Sequence, residues 1–343
     1  MGNRSREGSP EASLAPPPAA RPAPPAPGLA TLLGAGAILL WSLLALFTAA
    51  SGRVPPFQLA AVTFTLGGLL GCATWILRPA GARALRQPWP VWALGVGGLF
   101  GYHALYFAAL RLAPPAEAGL INYLWPLLIV LLSARLPGEG GLRASHVLGA
   151  GLGLAGVAAL FLGRPEGLSF AAGAVPGYLA ALAAAVVWSG YSVLSRRVGG
   201  VSTDAVAGFC LATAGLSLAC HLAFERTVWP ADGSEWAALV ALGLGPVGAA
   251  FYLWDVGVKR GDIRLLGVGA YAAPVLSTLI LVAAGYAPAT PALGAACALI
   301  VAGALIAALP TLRGPAGGGR PRTARFPGWR TYSDPGDEGD GGE

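Results

Sequence analysis

The chain has 343 residues, of which 55% are hydrophobic and only 11% are charged, and its mean hydropathy is +0.64. An ordinary globular domain carries about 25% charged residues, so this composition excludes a soluble fold. The net charge of +6 would suit a nucleic-acid binder, but the basic residues fall between apolar runs, where they orient membrane helices. That placement excludes the nucleic-acid-binding class as well.

Stretches that are apolar enough to cross a bilayer recur between two polar tails. The tails, residues 1–27 and 311–343, are rich in Pro, Ala, Gly and Arg and lack hydrophobic periodicity, so we predict that they are disordered. A spanning helix needs about 20 mainly apolar residues. Ten stretches qualify: 29–50, 57–77, 89–110, 117–134, 145–162, 174–194, 204–224, 236–257, 265–285 and 290–310.

The first and last of these runs each allow another interpretation. The first run is free of charge from Pro22 to Gly52, which is longer than the roughly 7–15 apolar residues of a signal peptide, so we expect it to stay as a helix. The last two spans come from one uncharged run, in which GYAPATP (285–291) predicts a turn.

The loops between the spans predict the orientation of the chain. With the N-terminus in the cytoplasm, only Arg53, Arg111, Arg164 and Arg226 lie on the outer side, and the other 18 of the 22 Lys and Arg lie inside. Cytoplasmic loops of membrane proteins carry such an excess of positive charge. The sequence therefore predicts a bacterial inner-membrane protein with both termini in the cytoplasm.

Two short motifs recur in corresponding spans and predict an internal repeat. Trp41-Ser42 in the first span is followed 147 residues later by Trp188-Ser189 in the sixth. The pattern Gly-x-x-x-Tyr-x-x-Pro ends at Pro126 in the fourth span and at Pro274 in the ninth, 148 residues apart. Repeats of this period predict two similar units.

The two units are predicted at 28–165 and 166–310, with five spans each. Five is odd, so the second unit enters the membrane from the opposite side. Inverted repeats of this kind are typical of secondary transporters, in which the substrate binds near the midplane between the halves. The alternative is a membrane scaffold that arose by duplication and transports nothing.

Residues for hydrolytic or redox chemistry are nearly absent, which argues against a membrane enzyme. There are three histidines, and no HExxH, GxSxG or phosphate-binding Gly-Lys loop occurs. The cysteines, Cys72, Cys210, Cys220 and Cys297, lie in apolar runs without metal-ligand spacing. We therefore expect no catalytic residue, no metal and no cofactor.

Aromatic and small polar side chains are instead concentrated within the predicted spans. Trp and Tyr in membrane proteins usually form a belt at the lipid–water interface. Trp41, Tyr102, Tyr106 and Trp188 fit that belt poorly because they lie near mid-span. A cavity lined by rings suits an amphipathic solute with an aromatic or bulky apolar part. The predicted solute-binding residues are Trp41, Ser42, Tyr102, His103, Tyr106, Asn122, Tyr123, Trp125, Trp188, Ser189, Trp254, Tyr271 and Ser277.

Ionisable residues and prolines within the spans suggest further roles. His103 and Asp255 are candidates for coupling transport to protons, because an ionisable group inside a membrane is costly and usually functional. Asp255 is equally well explained as a solvated partner of the nearby Lys259, and Glu117 as a solvated carboxylate at a helix start. Pro126 and Pro274 each remove a helix hydrogen bond and are predicted gating kinks.

The motifs together resemble the drug/metabolite transporter superfamily (EamA-like), and within it the aromatic amino acid exporter family. The segment from Glu117 to Pro126, EAGLINYLWP, carries this resemblance, together with GVGAYAAPVLS at 267–277. The resemblance implies export of aromatic amino acids and related metabolites through a central cavity. By motif it places Tyr102, His103, Tyr106, Tyr123, Trp125, Trp41 and Trp188 around that cavity. Asp255 departs from the family, in which we expect an uncharged polar residue there.

The predicted function is export of aromatic and other neutral amino acids by alternating access. The alternative within the superfamily is another small solute, such as a cationic drug or a sugar nucleotide. The expected partners are the solute and the lipid bilayer, with no nucleic acid, and the protein is expected to act as a monomer.

Overall fold

The computed structural model describes residues 25–136, 141–163, 168, 170–283 and 288–312. Every regular element in these ranges is helical, and ten helices are long and apolar enough to span a bilayer. In chain order they are α1 Pro27–Ala50, α2 Pro56–Leu77, α3 Trp89–Leu112, α4 Pro115–Ser133, α5 Ala144–Leu162, α6 Ala172–Arg197, α7 Ala205–Phe224, α8 Gly233–Arg260, α9 Ile263–Ala283 and α10 Pro291–Leu309. The ten predicted spans are confirmed, with bounds that differ by a few residues. The predicted tails and the turn between α9 and α10 lie largely outside the described residues.

The helices pack in pairs that follow the internal symmetry of the two halves. Helices α2 and α7 pack along each other, as do α5 and α10, and each pair joins the equivalent helices of the two halves. Helix α1 packs on α8, and α6 packs on α3. These two contacts are equivalent, because α1 corresponds to α6 and α8 corresponds to α3. Five spans in each half give the halves opposite orientations, as the sequence predicts. Which side of the membrane holds the termini stays a prediction.

Glycines bring the paired helices close together. A Cβ atom on Gly303 of α10 would lie 2.5 Å from the carbonyl oxygen of Gly149 in α5. A Cβ atom on Gly257 of α8 would lie 2.6 Å from the Cα atom of Gly34 in α1. In a bilayer, helices associate by close packing of small residues. These glycines therefore explain part of the high glycine content of the chain.

Two kinds of irregularity interrupt the helices at matching positions in the halves. Helix α3 contains a π-helical turn at Gly97–Gly101, and α8 contains one at Gly245–Ala249, 148 residues later. Helix α4 breaks after Asn122 and restarts at Trp125, and α9 breaks between Gly269 and Ala272. In both, the proline that follows has no N–H to donate to the carbonyl four residues earlier, so the helix ends there.

Charged residues tie α2 to α7 at both ends. At one end the Glu225 carboxylate, just after α7, accepts hydrogen bonds from the backbone amides of Phe57 and Gln58, each 3.1 Å long. A carboxylate at a helix N-terminus is stabilised by the free amides and by the helix dipole. At the other end Arg78, just after α2, forms an ion pair of 3.1 Å with Asp204 at the start of α7.

Candidate functional site

Four tryptophans from both halves meet at mid-span and are called the tryptophan cluster: Trp41, Trp125, Trp188 and Trp254. Trp41 and Trp188 occupy equivalent positions in α1 and α6, with ring centroids 5.6 Å apart. Trp125 of α4 lies 6.3 Å from Trp188, and Trp254 of α8 lies 5.0 Å from Trp41. The mostly edge-on arrangement of these rings is the favoured geometry for aromatic pairs. The cluster therefore forms the seam between the halves.

Residues of α3 extend the tryptophan cluster in one direction. The Tyr102 ring lies 5.3 Å from Trp188 and stacks on Tyr106 at 5.9 Å. The His103 ring lies 5.1 Å from Tyr102 and 5.0 Å from Phe64 of α2. Tyr102, His103 and Tyr106 form the α3 group of the site.

The π-helical turns supply carbonyl groups to this site. A π turn takes the backbone out of the regular hydrogen-bonding pattern, and such turns occur often at functional sites. Here the Nδ1 atom of His103 lies 2.7 Å from the carbonyl oxygen of Leu99 in the first π turn. The Nε1–H of Trp41 donates to the carbonyl oxygen of Pro246 in the second, over 3.1 Å. Both π turns thus fix an aromatic side chain of the site.

The contact with Leu99 also sets the tautomer of His103. A carbonyl oxygen only accepts, so Nδ1 carries the proton. In the neutral ring this leaves Nε2 as an acceptor. The side chain is partly exposed, so the site contains an acceptor suited to an N–H donor.

Asn122, at the break in α4, joins the α3 group. Its Nδ2 atom donates to the Tyr102 hydroxyl over 3.1 Å, and the residue is 4% exposed. Its Oδ1 atom is buried and accepts no hydrogen bond within the described residues. Asn122 therefore holds Tyr102 in place at the end of a helical segment.

Equivalent positions of the two halves differ systematically in exposure. Tyr106 and His103 of α3 are partly exposed, whereas Trp254 and Phe251, their counterparts in α8, are 0% and 4% exposed. Helices α3 and α8 run in opposite directions, so their C-terminal ends lie on opposite faces of the protein. The site residues on α3, which ends near Arg111, are thus more exposed than their counterparts on α8, which ends near Lys259.

A buried ion pair closes the Lys259 end. Lys259 Nζ lies 2.9 Å from Asp255 Oδ1, and their side chains are only 4% and 2% exposed. The Thr203 hydroxyl donates to Asp255 Oδ2 over 2.6 Å, and Lys259 also donates to the Val201 carbonyl over 3.0 Å. Asp255 is therefore paired with Lys259, as one of the two interpretations held, but it is buried and not solvated. Removal of either charge would leave the other buried and unpaired.

The opposite end carries an exposed counterpart. Arg111 occupies the position equivalent to Lys259 and forms an ion pair of 3.2 Å with Glu225, although its side chain is 53% exposed. The Glu225 carboxylate also contacts His221 Nδ1 at 3.0 Å. The basic residue at the end of α3 thus stays at the surface while its counterpart in α8 is buried.

Several predicted site residues lie in other surroundings. The Ser42 and Ser189 hydroxyls donate to carbonyls of their own helices, those of Leu39 and Ala185. Serines in helices often bond this way. Ser277 is half-buried, and no hydrogen bond within the described residues joins it to the tryptophan cluster.

The two tyrosines of the repeated motif make no ring contact with the four tryptophans within the described residues. Tyr123 is partly exposed, and its ring lies 6.4 Å from that of Phe161 in α5. Tyr271 is fully buried among residues of α4, α5, α9 and α10. Glu117 was expected to be solvated, but the structure contradicts this: it is 2% exposed, because the start of α4 is covered by neighbouring helices.

Three rings that border the site are absent from the predicted set. Phe64 and Phe251 stack at 5.5 Å and border His103, and Tyr191 lies 5.4 Å from Trp188. One signal was available: Phe251 lies 148 residues after His103, at the equivalent position of the other half. Likewise, glycines at 95 and 97 recur at 243 and 245 and mark the two π turns.

The chain matches a known family in both of its halves. The model of the EamA-like transporter family matches residues 28–162 and 175–309. A protein of Ancylobacter novellus named aromatic amino acid exporter YddG is 65% identical over 280 residues, which cover 82% of this chain and 97% of that protein. The protein of the same name from Escherichia coli is 27% identical over 306 residues, which cover 83% and 98%.

Two further similarities extend this comparison. A protein of Pseudomonas aeruginosa named pseudopaline exporter CntI is 32% identical over 204 residues, which cover 58% of this chain and 68% of that protein. A solved crystal structure superposes with a TM-score of 0.80 at 63% identity, and the match covers 83% of this chain and 98% of the other.

Proposed function

The chain belongs to the EamA-like transporter family, and we propose that it exports aromatic and other neutral amino acids, or related metabolites, by alternating access. It is a multi-pass protein of the inner membrane, and its relatives are named as exporters. No enzymatic step is part of the proposal.

The observation that carries the proposal is a ring-lined site between inverted halves whose α3 side is partly exposed and whose α8 side is buried. Secondary transporters built from inverted repeats bind substrate at the repeat interface and expose it alternately to the two sides. The tryptophan cluster and the α3 group lie at that interface; the α3 group is partly exposed, whereas the Lys259 end holds a buried ion pair. With the predicted orientation, in which the basic residues near Lys259 are cytoplasmic, the partly exposed α3 side would face the outside.

Each part of the site has a role in this scheme. The rings of Trp41, Trp188, Tyr102 and Tyr106 would pack against the side chain of the amino acid, because aromatic rings offer large apolar faces. His103 Nε2, as an acceptor, would orient a donor group of the solute. Opening of the Lys259 end then requires the Asp255–Lys259 pair to separate or move as a unit.

The proposal is tested by efflux from proteoliposomes loaded with radiolabelled Trp, Phe or Thr. We expect efflux well above that of protein-free liposomes. Tyr106→Ala should reduce it several-fold, since it removes a ring of the site, whereas Phe170→Ala, which removes a ring that is 59% exposed outside the site, should not. Efflux of all three solutes at the protein-free rate would contradict the proposal.

The driving force is tested in the same vesicles with and without a pH gradient. If His103 or Asp255 couples transport to protons, the gradient should accelerate efflux, and His103→Ala or Asp255→Asn should abolish that acceleration. Equal efflux with and without the gradient would assign facilitated diffusion and remove both residues as coupling groups.

A further inference from the structure

The two tyrosines of the repeated motif occupy equivalent positions but make different contacts. The hydroxyl of Tyr271 in α9 accepts a hydrogen bond of 3.2 Å from the backbone amide of Leu127 in α4. Leu127 follows the break in α4, and within the described residues its amide does not reach the carbonyl of Tyr123, four residues earlier. Tyr271 thus satisfies an amide that would be costly to leave unpaired inside a membrane.

A glycine provides the space for this contact. Tyr271 is fully buried, and a Cβ atom on Gly153 of α5 would overlap its ring. The ring can therefore reach α4 only because residue 153 has no side chain. Three helices, α4, α5 and α9, meet at this contact, which joins the two halves.

The equivalent contact in the other half is not formed. Tyr123 is the counterpart of Tyr271, and the amide equivalent to that of Leu127 belongs to Val275, 148 residues later. No hydrogen bond joins Tyr123 to Val275 within the described residues. Tyr123 is instead partly exposed.

The space for an equivalent contact is also filled. Gly156 of α5 matches Gly303 of α10, 147 residues later. In this alignment Ile300 occupies the position equivalent to that of Gly153. Ile300 is 4% exposed and packs against Gly156. The ring of Tyr123 would meet this side chain where Tyr271 meets a glycine.

We infer that the Tyr271–Leu127 hydrogen bond is a one-sided latch that holds α4 against α9 and biases the transporter toward the described state. The inference rests on the alternating access of the proposed function. If the halves exchange their arrangements, Tyr271 leaves Leu127, and Tyr123 finds no equivalent position because Ile300 fills it. Tyr271 is therefore a positioning residue for the break in α4 and for Trp125, which begins the second segment of that helix.

The latch is tested by the accessibility of a single cysteine at the closed end. Ser195 is 3% exposed beside Asp255 and Lys259, so Ser195→Cys, in a chain whose four native cysteines are replaced by alanine, reports opening of that end. Alkylation by a charged maleimide is measured in detergent without solute. We expect Tyr271→Phe to raise the rate on the order of tenfold, since it removes only the hydroxyl and leaves a buried amide unpaired.

Tyr123→Phe is the matched control and should leave the rate unchanged. Trp229→Cys, at a ring that is 56% exposed, should react equally fast in every background and controls for the reactivity of the maleimide, while helicity in detergent checks that the variants are folded. An unchanged rate in Tyr271→Phe, or an equal increase in Tyr123→Phe, would overturn the inference.

A second variant leaves Tyr271 unchanged and tests whether Ile300 prevents Tyr123 from forming the equivalent contact. Ile300→Gly should let Tyr123 form the equivalent contact and thereby speed alkylation of Ser195→Cys, and this gain should vanish in Ile300→Gly/Tyr123→Phe. A gain that persists without the Tyr123 hydroxyl would also overturn the inference. Since no solute is present, failure here leaves the efflux test of the proposed function unaffected.

Discussion

The two ends of the molecule are built from equivalent residues in unequal environments. Arg111 ends α3 and Lys259 lies near the end of α8, 148 residues apart, and each pairs with a carboxylate. The Arg111 side chain is 53% exposed, whereas that of Lys259 is 4% exposed. Equivalent residues therefore differ in burial between the two halves, and these differences show where the duplicated structure departs from symmetry.

The largest expected effect is a loss of stability, and it should differ between alanine substitutions of these two basic residues. Lys259→Ala leaves Asp255 buried with Thr203 alone, and we expect it to lower the free energy of unfolding by about 3–5 kcal/mol. Arg111→Ala removes a half-exposed partner of Glu225, whose buried carboxylate keeps the amides of Phe57 and Gln58 and its contact with His221, and should cost about 1 kcal/mol or less. Loss of helicity in detergent, followed against denaturant, measures both. Equal costs would show that the two ends are equally buried in solution.

A second comparison uses the tryptophans at equivalent positions in α1 and α6. Trp41 donates to the Pro246 carbonyl, whereas within the described residues the indole of Trp188 donates to no acceptor. Trp41→Phe removes the hydrogen bond to that carbonyl and should cost about 1 kcal/mol, more than Trp188→Phe does. Unfolding by denaturant, followed by the loss of helicity, measures both costs. A larger cost for Trp188→Phe would mean that the π turn of α8 does not depend on Trp41.

The smallest expected effect concerns the starts of α3 and α8. Asp232 caps α8 by accepting hydrogen bonds from Ser234 and Glu235, while α3 has no side-chain cap. The Ser234 hydroxyl and the two backbone amides hold the pKa of Asp232 below its usual range. A carboxyl with a lowered pKa stabilises the fold above its unfolded pKa, and this stabilisation is lost as the pH falls through the folded value.

Asp232→Ala should therefore lower the thermal midpoint slightly at neutral pH and not at all at strongly acidic pH. Asp232→Asn is the control, because an amide oxygen still caps a helix but does not titrate in this range. A decrease for Asp232→Ala that is the same at every pH would contradict the role of the charged form.

The fold was predictable because its signals are local in sequence. A bilayer fixes the length of a spanning helix, so hydropathy alone yields the ten spans. The motifs at Trp41 and Trp188, and those ending at Pro126 and Pro274, then define the two copies. The breaks in α4 and α9 follow from the missing N–H of each proline.

Part of the site was not predictable, because burial and pairing depend on neighbouring helices. The sequence places Tyr271 with the solute-binding rings, but Gly153 on α5 draws it into a different contact. Glu117 and Asp255 look solvated at helix ends and are both buried by packing. The π turns arise where glycines relax the helix, and glycine is so common here that position alone does not reveal them.

The pairs α2–α7 and α5–α10 have a mechanical consequence. Each contains equivalent helices of the two halves, so an exchange of the halves returns each pair to itself. Contacts such as Gly149–Gly303, and the ties that Glu225 and Arg78 make at the two ends of α2, can persist through a whole cycle. We therefore expect these two pairs to stay fixed during transport while the remaining helices move relative to them; among those helices are α3, α4, α8 and α9, which contain the π turns and the breaks.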